Sequence, residues 1–194
     1  MADSTAITRR TAIAGLATLS TASALSISSN SLAQNRPRPA PQWEVVEWFN
    51  GDGGNVDTLR GKVVVIDFFQ LWCPGCNSFS GPLMSHWQKE FASEINTGSL
   101  HMVKIHTVFE GHNYQTVQRL KAYIKKKGIT LPVGVDRHQE GRHVPITMGR
   151  YRTSGTPEMV IIDKRGMIRF QHFGYFDPKK VEPALVALMK RSAA

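Results

Sequence analysis

Cys73 and Cys76 are the only cysteines among 194 residues, and they stand two residues apart in Cys73-Pro74-Gly75-Cys76. A structural zinc site needs more ligands nearby, and a structural disulfide usually closes a longer loop. A lone pair at this spacing suits thiol–disulfide exchange, in which one thiolate attacks a disulfide and its neighbour completes the transfer. The chemistry asks for an electropositive seat for the attacking sulfur. The first turn of a helix provides one, because its N–H groups are unpaired and the helix dipole is positive there. Both effects favour thiolate over thiol. Cys73 is therefore expected to be the exposed nucleophile, and Cys76, one turn on, the more buried resolving thiol. An inert staple is the bland alternative, but so short a loop restrains little of the unfolded chain.

The flanking residues supply that seat. Lys62-Val63-Val64-Val65-Ile66-Asp67-Phe68-Phe69 reads as a buried strand, and Gln70-Leu71-Trp72 carries it into Cys73. Beyond Cys76, the spacing of Phe79, Leu83, Met84, Trp87 and Phe91 predicts a helix from Cys73 to about Ala92. Trp43 to Phe49 reads as an edge strand and Leu100 to Val108 as a second central strand. Asn113 is a plausible N-cap for a helix from Tyr114 to Lys127, with Gly128 as its stop. Leu131 to Asp136 reads as a short strand. Met159 to Asp163 and Met167 to Phe173 form a hairpin across Lys164-Arg165-Gly166, and Asp177 to Met189 a last helix. Strands alternating with helices imply an α/β fold, a mixed sheet covered on both faces.

Four stretches in order carry a resemblance to the thioredoxin superfamily, and within it to exported TlpA-like thiol-disulfide oxidoreductases of the redoxin type. They are Trp48-Phe49-Asn50 with Leu59 to Val65; Phe69 to Cys76; Gly155-Thr156-Pro157; and Met159 to Gly166. The resemblance covers roughly Trp43 to Met189. It implies a thioredoxin-like fold, with the section from His101 to Asp136 as an extra strand and helix. It implies that Pro157 is the superfamily's cis-proline and that the Thr156 backbone pairs with a substrate strand. It makes Trp72 a flat substrate contact. It places Asp67 beneath the cysteine pair, as in thioredoxin, where it would accept the proton Cys76 loses; many TlpA-like relatives lack this acid. Glu110 falls where some TlpA-like reductases carry an acid that moves protons or selects substrate. Pro82 stands six residues past Cys76, one more than in plain thioredoxin.

The two ends differ from the middle. Arg9-Arg10 precedes a mildly apolar Ser/Thr/Ala-rich stretch to about Ser29, and Ser31-Leu32-Ala33 offers small residues for cleavage. Residues 1–33 read as a cleavable, twin-arginine-like export signal, with Sec export left open by Ala12. Residues 34–41 read as a Pro-rich linker and 42–194 as the domain. The expected location is periplasmic or otherwise exported. The formal charge is +9, yet no nucleic-acid recognition motif accompanies it. Lys121, Lys125, Lys126 and Lys127 share one helix, a solvated face or a weak contact for anionic surfaces.

The leading function is reduction of disulfides in client proteins, with a membrane electron donor restoring the dithiol and no cofactor or bound metal. One alternative is a copper metallochaperone using Cys73, Cys76 and a histidine; such carriers usually space their cysteines by three residues. Another is a peroxidase, but its usual Pro-x-x-x-Thr-x-x-Cys setting is absent.

Overall fold

Val63–Phe69 is buried at every position, which is why it reads as an unbroken apolar run rather than an alternating one. The structure, a computed structural model, describes residues 37–192. The export signal assigned to residues 1–33 lies outside the described residues. The strands are β1 (Arg38–Pro39), β2 (Val45–Phe49), β3 (Val63–Phe69), β4 (Leu100–His106), β5 (Val133–Asp136), β6 (Glu158–Ile162) and β7 (Met167–Phe173). They form one seven-stranded sheet in the order β1-β7-β6-β3-β4-β5-β2. β3, β4 and β5 run parallel, and β6 is antiparallel to β3.

Helices cover both faces. On one lie α1 (Gly81–Glu90), α2 (Ala92–Asn96), α3 (Val117–Lys127) and α5 (Pro178–Lys190). Leu83, Met84 and Trp87 of α1 and Leu185 and Leu188 of α5 pack there against Val63 and Val65. Leu120 and Ile124 of α3 pack against Phe69 and the two cysteines. On the other face, α4 (Ile146–Tyr151) sets Tyr151 against Phe68, with Trp43, Val56 and Leu59 completing the layer. The sheet therefore delivers the end of β3 and the start of the following helix to one rim.

Several boundaries differ from the sequence reading. The cysteine helix is not continuous to Ala92. Residues Cys76–Ser80 form a π-helical turn, α1 follows, and Phe91 breaks the chain before α2. Pro82 gives the reason: it has no N–H for the Ser78 carbonyl, and its ring would crowd that carbonyl. The Gly81 N–H bonds instead to the Cys76 carbonyl, five residues back. The residue in excess of the plain thioredoxin spacing is taken up by this wider turn. α3 starts at Val117 rather than Tyr114, because Thr116, not Asn113, caps it: its hydroxyl accepts from the Arg119 N–H at 3.3 Å. Gly128 ends α3 in the left-handed conformation, as expected. α4 was absent from the sequence reading; its short span hides the helical period, and buried Asp136 caps it from β5 by accepting the Thr147 and Met148 N–H groups. The Pro-rich run is not wholly a tether, since Arg38 and Pro39 pair with Ile168 and Met167 of β7.

Candidate active site

Leu71, Trp72 and Cys73 cross from the end of β3 to the helix, and side chains hold their backbone in place. The Leu71 N–H donates to Gln115 Oε1 at 2.9 Å. Asn77 Nδ2 donates to the Leu71 and Cys73 carbonyls, each at 3.0 Å. Asn77 is held in turn by the Tyr123 hydroxyl at 3.1 Å. Gln115 precedes α3 and Tyr123 lies on it, so the extra strand-and-helix element grips the active-site loop at two points.

The cysteines form a disulfide with Cα atoms 5.2 Å apart. Cys73 is 6% exposed and Cys76 2%. Cys73, expected to be exposed, is buried in the disulfide form, though less deeply than Cys76. The Cys76 N–H donates to Cys73 Sγ at 3.1 Å, so a helix N–H already faces the sulfur that must carry the thiolate.

Pro157 comes against this loop. The Thr156–Pro157 peptide is cis. A Cβ on Gly75 would stand 2.9 Å from Pro157 Cδ, so only glycine lets the two segments meet. The Thr156 hydroxyl lies 3.4 Å from Gln70 Oε1, and Trp72 Nε1 lies 3.3 Å from the same oxygen. Gln70 is buried and ties the indole to the proline loop. The sequence reading assigned it no role, and its polarity at the end of an apolar strand was the available signal.

Asp67 is fully buried on β3. It is not a lone carboxyl: Lys104 Nζ of β4, itself buried, ion-pairs with Asp67 Oδ2. Lys104 is the cross-strand partner of Asp67. It was missed, though a lysine inside an otherwise buried strand, Leu100–His106, was legible as a charge needing a partner. A cavity of about 190 Å³ opens behind Cys76, lined by Lys104, Tyr123, Asn77, Met84 and Leu131 among others. Burial, and secondarily the Asp67 charge, pushes the Tyr123 hydroxyl up to about 12, so it stays a neutral donor to Asn77.

Trp72 is 45% exposed and stacks on Tyr114, with ring centroids 5.6 Å apart. Glu110 is exposed on the loop whose next residue, Gly111, lies under the Trp72 ring. The structure thus gathers Cys73, Cys76, Trp72, Thr156 and Pro157 at one rim, keeps Asp67 inside the sheet on Lys104, and leaves Glu110 at the rim's edge. Among the described residues no three His, Cys, Asp or Glu side chains cluster as a metal site would require.

Residues 37–171 match the AhpC/TSA family. Among solved structures, a thioredoxin-like superfamily protein, SPOA0173, is 35% identical, superposes with a TM-score of 0.75, and covers 80% of this chain and 99% of its own. A thiol-disulfide isomerase from Corynebacterium glutamicum is 37% identical with a TM-score of 0.70, over 79% of this chain and 98% of its own. The thiol:disulfide interchange protein DsbE of Escherichia coli (strain K12) is 24% identical over 156 residues, 79% of this chain and 74% of that one.

Proposed function

The chain belongs to the AhpC/TSA family and is a thiol-disulfide oxidoreductase of thioredoxin-like fold, and from that premise we propose that it is exported and reduces disulfides of client proteins. The observation that carries this reading is the Cys73–Cys76 pair at a helix start, facing the cis Thr156–Pro157 segment. In the reduced protein, the Cys73 thiolate attacks one sulfur of the client disulfide and the other sulfur leaves as a thiolate. Cys76 then loses its proton and attacks Cys73 Sγ. The second client thiolate departs and the Cys73–Cys76 disulfide forms; the client gains two electrons and two protons.

We assign handling of the Cys76 proton to the Asp67–Lys104 pair; the cavity that touches both Cys76 and Lys104 supports this. Trp72 and the Thr156 backbone receive the client strand, and Glu110 is an acid at the rim that client side chains would meet. A membrane electron donor would return the dithiol. The signal-like pattern of residues 1–33 and the Pro-rich run behind it favour work outside the cytoplasm, where oxidised clients persist. Among the described residues no helix is long and apolar enough to cross a membrane.

Peroxide reduction is the second reading that the family raises. Ile66 and Gln70 stand where the usual peroxidatic setting carries Pro and Thr, which favours disulfide exchange. Copper carriage has less support, since among the described residues no third ligand joins the cysteines.

The test is turnover of a protein disulfide and of hydrogen peroxide by wild type, Cys73→Ser and Cys76→Ser. Wild type should reduce the protein disulfide, Cys73→Ser should lose that activity, and Cys76→Ser should accumulate a client-linked species that dithiothreitol releases. Undiminished disulfide reduction by Cys73→Ser would sink the mechanism, and faster turnover of peroxide than of disulfide would move the assignment to a peroxidase.

A further inference from the structure

Among the described residues, the exposed large hydrophobic side chains are Val46, Trp72, Tyr114, Val144, Phe173 and Tyr175. Four of the six belong to or pack on the cysteine loop, the π turn or the proline loop, and they come from separate parts of the chain. Trp72 precedes Cys73, and Tyr114 stacks on it at 17° between planes. Phe173 lies across Gly155, just before Thr156–Pro157; a Cβ there would be 2.8 Å from its ring. Tyr175, 73% exposed, packs on Phe79 of the π turn at 4.7 Å. Single exposed apolar residues are ordinary, but aromatic side chains gathered around a reactive centre mark a contact surface.

One wall carries a charge. The Arg119 guanidinium lies over the Tyr114 ring, 4.2 Å from its centre. None of the ion pairs among the described residues includes Arg119. α3, which bears it, also holds Lys121, Lys125, Lys126 and Lys127 and no acid. Glu110 is the carboxylate nearest in sequence to this wall and makes no bond to Arg119.

We propose that Arg119 makes this client-binding rim selective, favouring extended client segments that carry a carboxylate on the Tyr114–Arg119 side of their cysteine. The inference rests on the oxidoreductase reading above. Cys73 is 6% exposed, so a flat globular face cannot bring a sulfur to it, whereas a protruding or unfolded strand can. Such a strand must lie along the aromatic walls. An unpaired guanidinium fixed over a ring is suited to a carboxylate.

The test uses the reduced protein, freed of dithiothreitol, and short peptides of the form Trp-Cys-Trp whose cysteine is joined by a disulfide to 2-mercaptoethanol. Glu or Lys is placed at either end. Exchange oxidises the Cys73–Cys76 dithiol and releases the peptide thiol and 2-mercaptoethanol, and it is followed by protein fluorescence. With Glu at the better end, the second-order rate should exceed that of the Lys peptide by about threefold to fivefold at low salt. The gap should close at high salt, Arg119→Glu should reverse the order, and replacing the peptide's Trp residues by Ser should slow exchange. A reversal cannot come from a general folding or redox defect, which would slow both peptides alike. Equal rates for Glu and Lys peptides, or an order unchanged in Arg119→Glu, overturn the proposal. So does an Arg119→Glu protein that loses binding to vesicles rich in phosphatidylglycerol while keeping the peptide order, since Arg119 then serves a lipid surface. If neither the peptides nor bis(2-hydroxyethyl) disulfide oxidise the protein, the oxidoreductase reading falls first.

Discussion

His106 is a neutral imidazole whose tautomer its neighbours dictate. Gln115 Oε1 already accepts the Leu71 N–H, so it acts as an acceptor toward His106 Nε2 at 3.0 Å as well. Nε2 therefore carries the proton, and Nδ1 is buried without a partner. Burial drives the His106 pKa down to about 4, with the Gln115 bond opposing. The unfolded chain binds a proton near 6.5 and the folded chain only near 4. Stability from His106 is thus fully present above pH 6.5 and lost as pH falls from there to about 4, by on the order of 3 kcal/mol. Burial raises Asp136 and Glu158, so these carboxyls work the opposite way: the folded state holds their protons longer and loses stability as pH rises. Urea unfolding at pH 7 and pH 4.5 in wild type and His106→Asn separates the contributions. The fall in stability between the two pH values should be smaller in the variant, and parallel falls would mean that His106 does not carry it. At this scale the cysteines and Pro157 were legible because their neighbours are local in sequence. Gln115 and Asn77 were not, and Lys104 showed only as a charge in need of a partner, since each matters through a residue that only the fold brings to it.

The active-site helix shows how much an element can hide. Its apolar spacing from Phe79 to Phe91 was readable, and so was the surplus residue before Pro82, but not the form the surplus takes. A kink and a π turn both accommodate a proline without its N–H. Packing decides for the π turn, because it keeps Cys76 and Ser80 buried together with Leu83, Met84 and Trp87. The boundaries of α3 moved for a similar reason: Asn113 and Thr116 are both competent caps, and Thr116 wins once Gln115 is drawn inward to Leu71. Gly81 makes the π turn testable. In an ordinary exposed helix, Gly→Ala stabilises by about 1 kcal/mol. Here the new Cβ would stand 2.8 Å from the Cys76 carbonyl oxygen, a backbone atom of the redox pair. Crowding of that kind costs about 1–3 kcal/mol and outweighs the propensity gain. Gly81→Ala should therefore lower the urea midpoint of the oxidised protein and shift the reduction potential of the pair. A raised midpoint with an unchanged potential would show that the turn relaxes to α-helix without disturbing Cys76.

The sheet ends on a strand the sequence gives no reason to expect, and this sets where the domain begins. The alternation of strands and helices made the mixed sheet legible, because its central strands are long and apolar. A two-residue strand inside Arg36-Pro37-Arg38-Pro39-Ala40-Pro41 has no period to read, and proline is admitted there because β1 lies at the sheet edge. Its hold on the domain is polar. The Ala40 N–H donates to the Gly166 carbonyl at 2.9 Å. Arg38 donates to the Tyr151 carbonyl at 3.1 Å and to Gln171 Oε1 at 2.6 Å. Gln171 in turn donates to buried Glu158, which also accepts from the Ser154 N–H at 2.7 Å, at the head of the proline loop. Cleavage after Ala33 would leave this chain of bonds whole, whereas a protein beginning at Gln42 would lose its first member and leave Gln171 Oε1 short of a donor. Each lost bond contributes about 1 kcal/mol, so the shorter protein should unfold at distinctly lower urea than one beginning at Gln34. Because the proline loop is the far end of the network, the shorter protein should also react more slowly with peptide disulfides while its reduction potential stays the same. Equal urea midpoints for the two proteins would return β1 to the status of a linker.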